Sequence, residues 1–197
     1  MSKRFFDLIA SSAGLLFFAP FLFLIAIWVK LDSEGPVFFR QERVGLKGKL
    51  FRIHKFRTMI INAQAHGPQI TVGSDSRVTR AGKWLRKYKL DELPQLIDVW
   101  TGRMSLVGPR PEVPQYVECY PILVRDVVLS VRPGITDNAS IEFKDENLIL
   151  GRAIDPHFTY VHEIIPIKLK HYLDYVNNRS FSGDLILIIK TIKALVR

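Results

Sequence analysis

LIASSAGLLFFAPFLFLIAIWV, residues 8–29, carries no charged side chain and is interrupted only by Ser11, Ser12, Gly14 and Pro20. As a helix rising about 1.5 Å per residue it measures roughly 33 Å, enough to cross a bilayer hydrocarbon core of about 30 Å. A cleaved signal peptide fits poorly. Its apolar stretch is usually about 7 to 15 residues, and here the run ends in Trp28-Val29-Lys30 with no small-residue cleavage site. The segment reads as a permanent membrane anchor.

Charge bears on how the anchor lies. Lys3 and Arg4 precede it, and Lys30, Arg40, Arg43, Lys47 and Lys49 follow, so a simple span exports a strongly basic flank, against the positive-inside tendency. Pro20 removes one helical hydrogen bond and bends the axis at Ala19-Pro20. Together these favour a re-entrant helical hairpin over residues 1–35 with both ends cytoplasmic, rather than a straight, gently kinked span.

Beyond Gly35-Pro36, the runs Val37 to Val44 and Leu50 to Phe56 flank Gly45-Leu46-Lys47-Gly48 and predict a β-hairpin. Asn62 to Asp75 reads as a loop. Helical patterns cover Arg77 to Lys89, Glu92 to Trp100, Val113 to Val131 (split by prolines) and Pro166 toward Asn177. Arg132-Pro133-Gly134 reads as a turn, and Asp137 to Asp155 as short strands and loops. A last helix, capped by Ser180 or Ser182, places Leu185, Ile188, Ile189, Ile192, Leu195 and Val196 at helical spacing, with Lys190, Lys193 and Arg197 off that stripe. It suits the lipid interface and the protein core equally.

Lys and Arg number 28 against 19 Asp and Glu, a net charge of +9, which calls for an anionic partner without choosing among nucleic acid, anionic lipid and phosphorylated substrate. The single Cys119 excludes an internal disulfide and suits a reducing compartment. His54, His66, His157, His162 and His171 are scattered and read as structural. No Walker loop, Rossmann glycine fingerprint or nucleic-acid-binding module is present.

Two basic windows stand out: Arg40, Arg43, Lys47, Lys49, Arg52, Lys55 and Arg57, then Arg77, Arg80, Lys83, Arg86, Lys87 and Lys89. Asp91-Glu92 follows directly. At a helix start such a pair ordinarily caps the helix and meets its dipole; near arginines and a divalent metal, an ionised Asp can instead attack phosphorus while its neighbour handles a proton or the metal. In Gly108-Pro109-Arg110-Pro111-Glu112, two prolines stiffen the backbone around one arginine, which suits bidentate phosphate recognition.

The order of the apolar run, Gln41-Glu42-Arg43-Val44-Gly45, Lys55-Phe56-Arg57-Thr58-Met59, Leu90-Asp91-Glu92-Leu93-Pro94-Gln95-Leu96, Met104 to Pro111 and Val131-Arg132-Pro133-Gly134-Ile135-Thr136 closely resembles the small monotopic phosphoglycosyl transferases, the bacterial sugar transferase family. The resemblance covers nearly the whole chain. It implies an α+β, mostly helical fold: a re-entrant membrane helix-hairpin (1–35), then a β-hairpin and interfacial amphipathic helices around a cytoplasmic, membrane-associated catalytic core (36–197), forming one integrated unit on the cytoplasmic face of the bacterial inner membrane. The implied reaction moves a sugar 1-phosphate from a UDP-sugar to undecaprenyl phosphate with Mg2+, an early membrane step of surface-glycan synthesis that can feed downstream glycosyltransferases.

By the same resemblance Asp91 is the nucleophile that forms an aspartyl-phosphosugar intermediate. Glu92 completes the dyad, and both are candidate magnesium ligands. Arg86, Lys55, Arg57 and Arg110 are candidate phosphate contacts. The competing reading is a membrane-tethered binding protein for anionic lipid or nucleic acid, which leaves the dyad without a task. Two departures stand out. Many members carry Ser-Pro where this chain has Ala19-Pro20, and many follow the Arg-Pro-Gly-Ile-Thr turn with Gly-Trp-Ala-Gln where this chain has Asp137-Asn138-Ala139-Ser140, a difference expected to bear on nucleotide or sugar recognition. The further membrane helices and domain of larger relatives are expected to be absent.

Overall fold

The computed structural model describes residues 3–63, 70–73 and 75–196. Part of the expected Asn62 to Asp75 loop, including Gly67, Pro68 and Ser74, lies outside the described residues, as do His66 and Arg197.

The Leu-, Phe- and Ile-rich run forms one helix, α1 (Lys3–Asp32), continuous through Pro20. It is the one helix among the described residues long and apolar enough to cross a membrane. Its two ends are packed and its middle is bare. Near the start, the Arg4 guanidinium donates to the carbonyls of Val99 (2.6 Å) and Trp100 (2.9 Å) at the end of α3 (Gln95–Trp100). Asp7 accepts from the Ser105 hydroxyl (2.8 Å) and the Leu106 N–H (3.1 Å) of β5 (Ser105–Val107). At the other end, Ile25 and Val29 pack on Phe56 and Leu85. Asp32 accepts from the Ala81 N–H (3.0 Å) at the start of α2 (Arg80–Lys87). Between these ends, Leu16, Phe17, Phe23 and Leu24 are exposed. A single body thus holds both ends of an apolar helix whose centre is largely exposed.

The predicted hairpin is present in two pieces. β2 (Glu42–Val44) and β3 (Leu50–Arg52) pair antiparallel with Val44 opposite Leu50. β1 (Phe38–Phe39) pairs with β4 (Lys55–Phe56). The proline-bearing stretch splits, as its prolines require, into α4 (Pro114–Val117) and α5 (Ile122–Val128). α9 (Ile165–Asn178) and α10 (Phe181–Val196) fall where helices were expected, and the Ser180 hydroxyl accepts from the Gly183 N–H at 3.1 Å.

Two expectations are corrected. Residues 137–155 are not strands and loops but the helices α6 (Asn138–Glu142) and α7 (Glu146–Arg152); each is under three turns, too short for a helical period to show, and α6 is started by its N-cap Asp137. The Arg132-Pro133-Gly134 turn leads into a strand, β6 (Gly134–Thr136), parallel to β5. Gly108 and Gly134 make this possible, since a Cβ on Gly134 falls 2.1 Å from the Gly108 nitrogen. α8 (Pro156–Thr159) and one π-helical stretch at Tyr160–Ile164 precede α9. The main core joins α4, α5, α7 and α9 through Tyr116, Val128, Leu150, Tyr160, Leu169 and Tyr172.

α2 seats directly on the Thr58 backbone. A Cβ on Gly82 falls 2.1 Å from the Thr58 carbonyl oxygen. Gly82→Ala is expected to destabilise the fold by about 1–3 kcal/mol through forced backbone displacement, read as a lowered thermal midpoint of the purified protein in detergent. An unchanged midpoint contradicts this seating.

Candidate active site

After α2 the chain reverses at Lys89, a non-glycine residue with left-handed backbone (φ 54°). The reversal turns the following 3-10 turn, Leu90–Glu92, back toward the cations of α2 and β4. The carboxylates do not cap α3, which starts three residues after Glu92 with no side-chain cap, so the ordinary capping reading fails. Their environments instead differ sharply.

Glu92 is gripped from two sides. The Lys55 ammonium donates to its Oε1 at 2.9 Å, and Arg110 forms a fork, donating through Nη1 to Oε2 at 2.9 Å and through Nη2 to Oε1. These two cations, Arg110 foremost, overcome the cost of burial and hold the Glu92 carboxyl well below the usual carboxylate range. Reciprocally, burial is the largest influence on Arg110 and Glu92 outweighs it, so the guanidinium is held more firmly protonated. Burial dominates at Lys55 and lowers its pKa despite Glu92.

Asp91 has no such grip. It is 8% exposed, and its Oδ1 is buried with no hydrogen-bond partner. Burial, then the negative charge of Glu92, pushes its carboxyl upward, opposed by Lys55, Arg86 and Lys89. A poorly solvated, more basic carboxylate is a better nucleophile, and a buried oxygen without a partner is costly enough to call for an explanation.

Arg86 donates from Nε to the Thr58 hydroxyl and from Nη1 to the Thr71 hydroxyl, both 2.9 Å. Neutral hydroxyls thus orient it without cancelling its charge. Burial lowers its pKa, with Asp91 the strongest opposing influence. The structure brings Arg86, Lys55 and Arg110 around the dyad. It does not bring Arg57, whose guanidinium donates to the carbonyls of Pro36 (2.6 Å), Ser33 (2.8 Å) and Val29 (3.4 Å) and to the Ser33 hydroxyl (2.7 Å). Arg57 ties down the end of α1.

Two buried aspartates stand behind the cations: Asp98, absent from the sequence reading, and Asp137, which entered it only within the Asp137-Asn138-Ala139-Ser140 departure. Asp98 accepts both from the His54 N–H and from its Nδ1 (each 2.8 Å), fixing the residue before Lys55. Asp137 accepts from the Arg110 N–H at 2.8 Å. Asp98 could have been noticed as the charged residue inside the apolar helix Leu96 to Trp100; Asp137 stood out as a departure, but its contact with the Arg110 N–H had no local signal. Among the described residues, no three His, Cys, Asp or Glu side chains form a metal cluster. Both Glu92 oxygens are spent on cations, so the orphaned Asp91 Oδ1 is the donor that fits a magnesium ion, an ion that commonly takes one or two carboxylates and fills its shell with substrate phosphates and water.

Lys55, Arg86 and Arg110 thus surround one neutralised carboxylate, Glu92, and one with an unpartnered oxygen, Asp91. The sequence profile of the bacterial sugar transferase family matches residues 1–197, and the chain belongs to that family. It is 38% identical, over 98% of its length and 43% of the relative's, to UDP-N-acetylgalactosamine-undecaprenyl-phosphate N-acetylgalactosaminephosphotransferase of Aeromonas hydrophila. Similarity to UDP-glucose:undecaprenyl-phosphate glucose-1-phosphate transferase of Caulobacter vibrioides is 36% identity, covering 100% of this chain and 70% of the relative. The exopolysaccharide production protein ExoY of Rhizobium meliloti is 36% identical, with 99% and 85% covered. The chain spans less than half of the Aeromonas protein.

The two carboxylates predict opposite effects on stability. Glu92, with a lowered folded pKa, contributes stability that is present above the ordinary glutamate value and lost as pH falls through its folded value. Asp91, with a raised folded pKa, contributes only at acid pH, and that contribution is lost as pH rises through its folded value. At pH 7, Glu92→Gln is therefore expected to destabilise by about 2–3 kcal/mol, discounted for the partial exposure of Lys55 and Arg110. Asp91→Asn is expected to leave the thermal midpoint unchanged or raise it. Equal losses in both variants contradict the division.

Proposed function

We propose that this protein is a phosphoglycosyl transferase that moves a sugar 1-phosphate from a UDP-sugar to undecaprenyl phosphate through a covalent aspartyl-phosphosugar intermediate. The observation that carries this reading is the buried Asp91 carboxylate, one oxygen unpartnered, beside a Glu92 already neutralised by Lys55 and Arg110. Family membership and the printed activities of the relatives agree with it.

In the first step an Asp91 oxygen attacks the sugar-bearing phosphorus of the donor. A carboxyl oxygen–phosphorus bond forms, the phosphorus–oxygen bond to UMP breaks, and UMP leaves with the electron pair. In the second, a phosphate oxygen of undecaprenyl phosphate attacks the same phosphorus, forming the diphosphate link and returning Asp91 as carboxylate. Neither step needs a base to strip a proton from the nucleophile, which agrees with Glu92 being locked in two ion pairs. Arg86 neutralises donor phosphate, and Arg110 and Lys55 hold Glu92 and add positive potential at the reacting phosphorus. A magnesium ion, held by Asp91 Oδ1 and the donor's phosphates, would when bound supply further charge neutralisation.

The acceptor phosphate lies at the headgroup level, so the nucleophile has to lie there too. The bare centre of α1, between two ends tied to one body, supports a re-entrant helix bent at Pro20 that enters the cytoplasmic leaflet and returns. The downstream product is a surface glycan of the kind that the name of the Rhizobium relative prints.

Membranes containing the protein, supplied with undecaprenyl phosphate, magnesium and a panel of UDP-sugars, are expected to release UMP. With acceptor omitted, a donor labelled in its β-phosphate is expected to label the protein, and Asp91→Asn to abolish both signals. UMP release from no sugar overturns the class, and full activity in Asp91→Asn overturns the covalent route.

A further inference from the structure

Pro109-Arg110-Pro111 offers a single backbone N–H, that of Arg110, because proline has none. Asp137 takes it. The Asp137 side chain is 1% exposed and uses each oxygen once: Oδ2 accepts from the Arg110 N–H at 2.8 Å, and Oδ1 from the Ser140 N–H at 2.7 Å. The second bond is the N-cap of α6. Both segments leave the β5–β6 ladder side by side, with the Gly108 N–H donating to the Thr136 carbonyl (3.0 Å) and the Gly134 N–H to the Pro109 carbonyl (2.9 Å). Arg110 then reaches from this point to Glu92, with a further long contact from Nη1 to the Ile135 carbonyl at 3.4 Å.

The geometry points to Asp137 as a positioning residue: it clamps the main chain of Arg110, and through that side chain fixes Glu92 beside the nucleophile, acting on the chemical step rather than on donor binding. This rests on the phosphoryl-transfer reading above. Four features carry it. The Arg110 N–H has no competing acceptor within its rigid tripeptide. The two prolines transmit any shift at the nitrogen to the whole residue. Asp137 is buried and its other oxygen is committed to α6, so it cannot follow Arg110 if the loop moves. Its negative charge also favours the Arg110 cation, while burial pushes the Asp137 carboxyl upward, opposed only in part by the two N–H donors and Arg110. Asp137, the first of the four residues in which this chain departs from the common Gly-Trp-Ala-Gln, thus has a task at the dyad itself, in addition to any effect on recognition.

The test uses Asp137→Ser in the full chain in nanodiscs. Serine caps a helix about as well as aspartate, so its one oxygen can keep the Ser140 bond while the Arg110 clamp is lost. With the UMP assay, kcat is expected to fall about tenfold to a hundredfold, the loss typical of a small misplacement of a reacting group, with KM for the UDP-sugar changed less than about threefold. In an Arg110→Lys background the same substitution is expected to cost much less, because the two act on one element. Wild-type kcat in Asp137→Ser, or a full additive loss in the Arg110→Lys background, overturns the proposal. Hydrogen exchange supplies a readout independent of activity: the Arg110 amide is expected to be protected in the parent and to exchange at least about tenfold faster in Asp137→Ser, with the α6 amides unchanged. An equally protected amide overturns the clamp. A parent that releases no UMP but shows this exchange difference instead removes the function reading and leaves the clamp standing.

Discussion

Glu92 held between Lys55 and Arg110 is the interaction on which the rest of the site depends. Three residues from separate parts of the chain, a strand, a 3-10 turn and a proline-bound loop, meet in that ion triad. Breaking it strands two cations in a partly buried place, so the triad fixes the relative position of all three segments. It also sets the chemistry. With Glu92 neutralised, Asp91 is left with an unpartnered oxygen and a carboxyl pushed upward by burial, while Arg86 is oriented by the neutral hydroxyls of Thr58 and Thr71.

The triad is braced from behind by buried aspartates at each cation, Asp98 through His54 and Asp137 through the Arg110 N–H. A third, Asp7, reaches from α1 to β5, whose chain runs on to Arg110. The apolar helix and the carboxylate pair are therefore parts of one bonded frame. Arg4 closes the end of α3, Asp32 the start of α2, and Arg57 the end of α1. The position of α1 therefore sets the position of Asp91.

What was legible in the sequence were the features with a local signature. The apolar run declares its helix by composition, the β-hairpin by its glycine loop, and the dyad with Arg86, Lys55 and Arg110 by ordered motifs. The parallel pairing of β5 and β6 was not legible, because three-residue strands have no period and the pairing rests on Gly108 meeting Gly134. α6 and α7 were missed for the same reason of length. Arg57 was a candidate phosphate contact by the resemblance alone; β4 ends at Phe56 and Arg57 turns toward α1. The roles of Asp98 and Asp137 depend on backbone N–H groups brought near by tertiary packing, which no spacing in the chain records.

The central claim is that neighbouring carboxylates in one turn are driven in opposite directions, Asp91 upward by burial and Glu92 downward by its two cations. The most direct measurement is a carbon-13 NMR titration of the side-chain carboxyls in the full-length protein in micelles, assigned with the Asp91→Asn and Glu92→Gln variants. The account predicts that Asp91 titrates above the ordinary aspartate value of about 3.9 and Glu92 below the ordinary glutamate value of about 4.3, inverting the usual order. Glu92 titrating above Asp91 would contradict it.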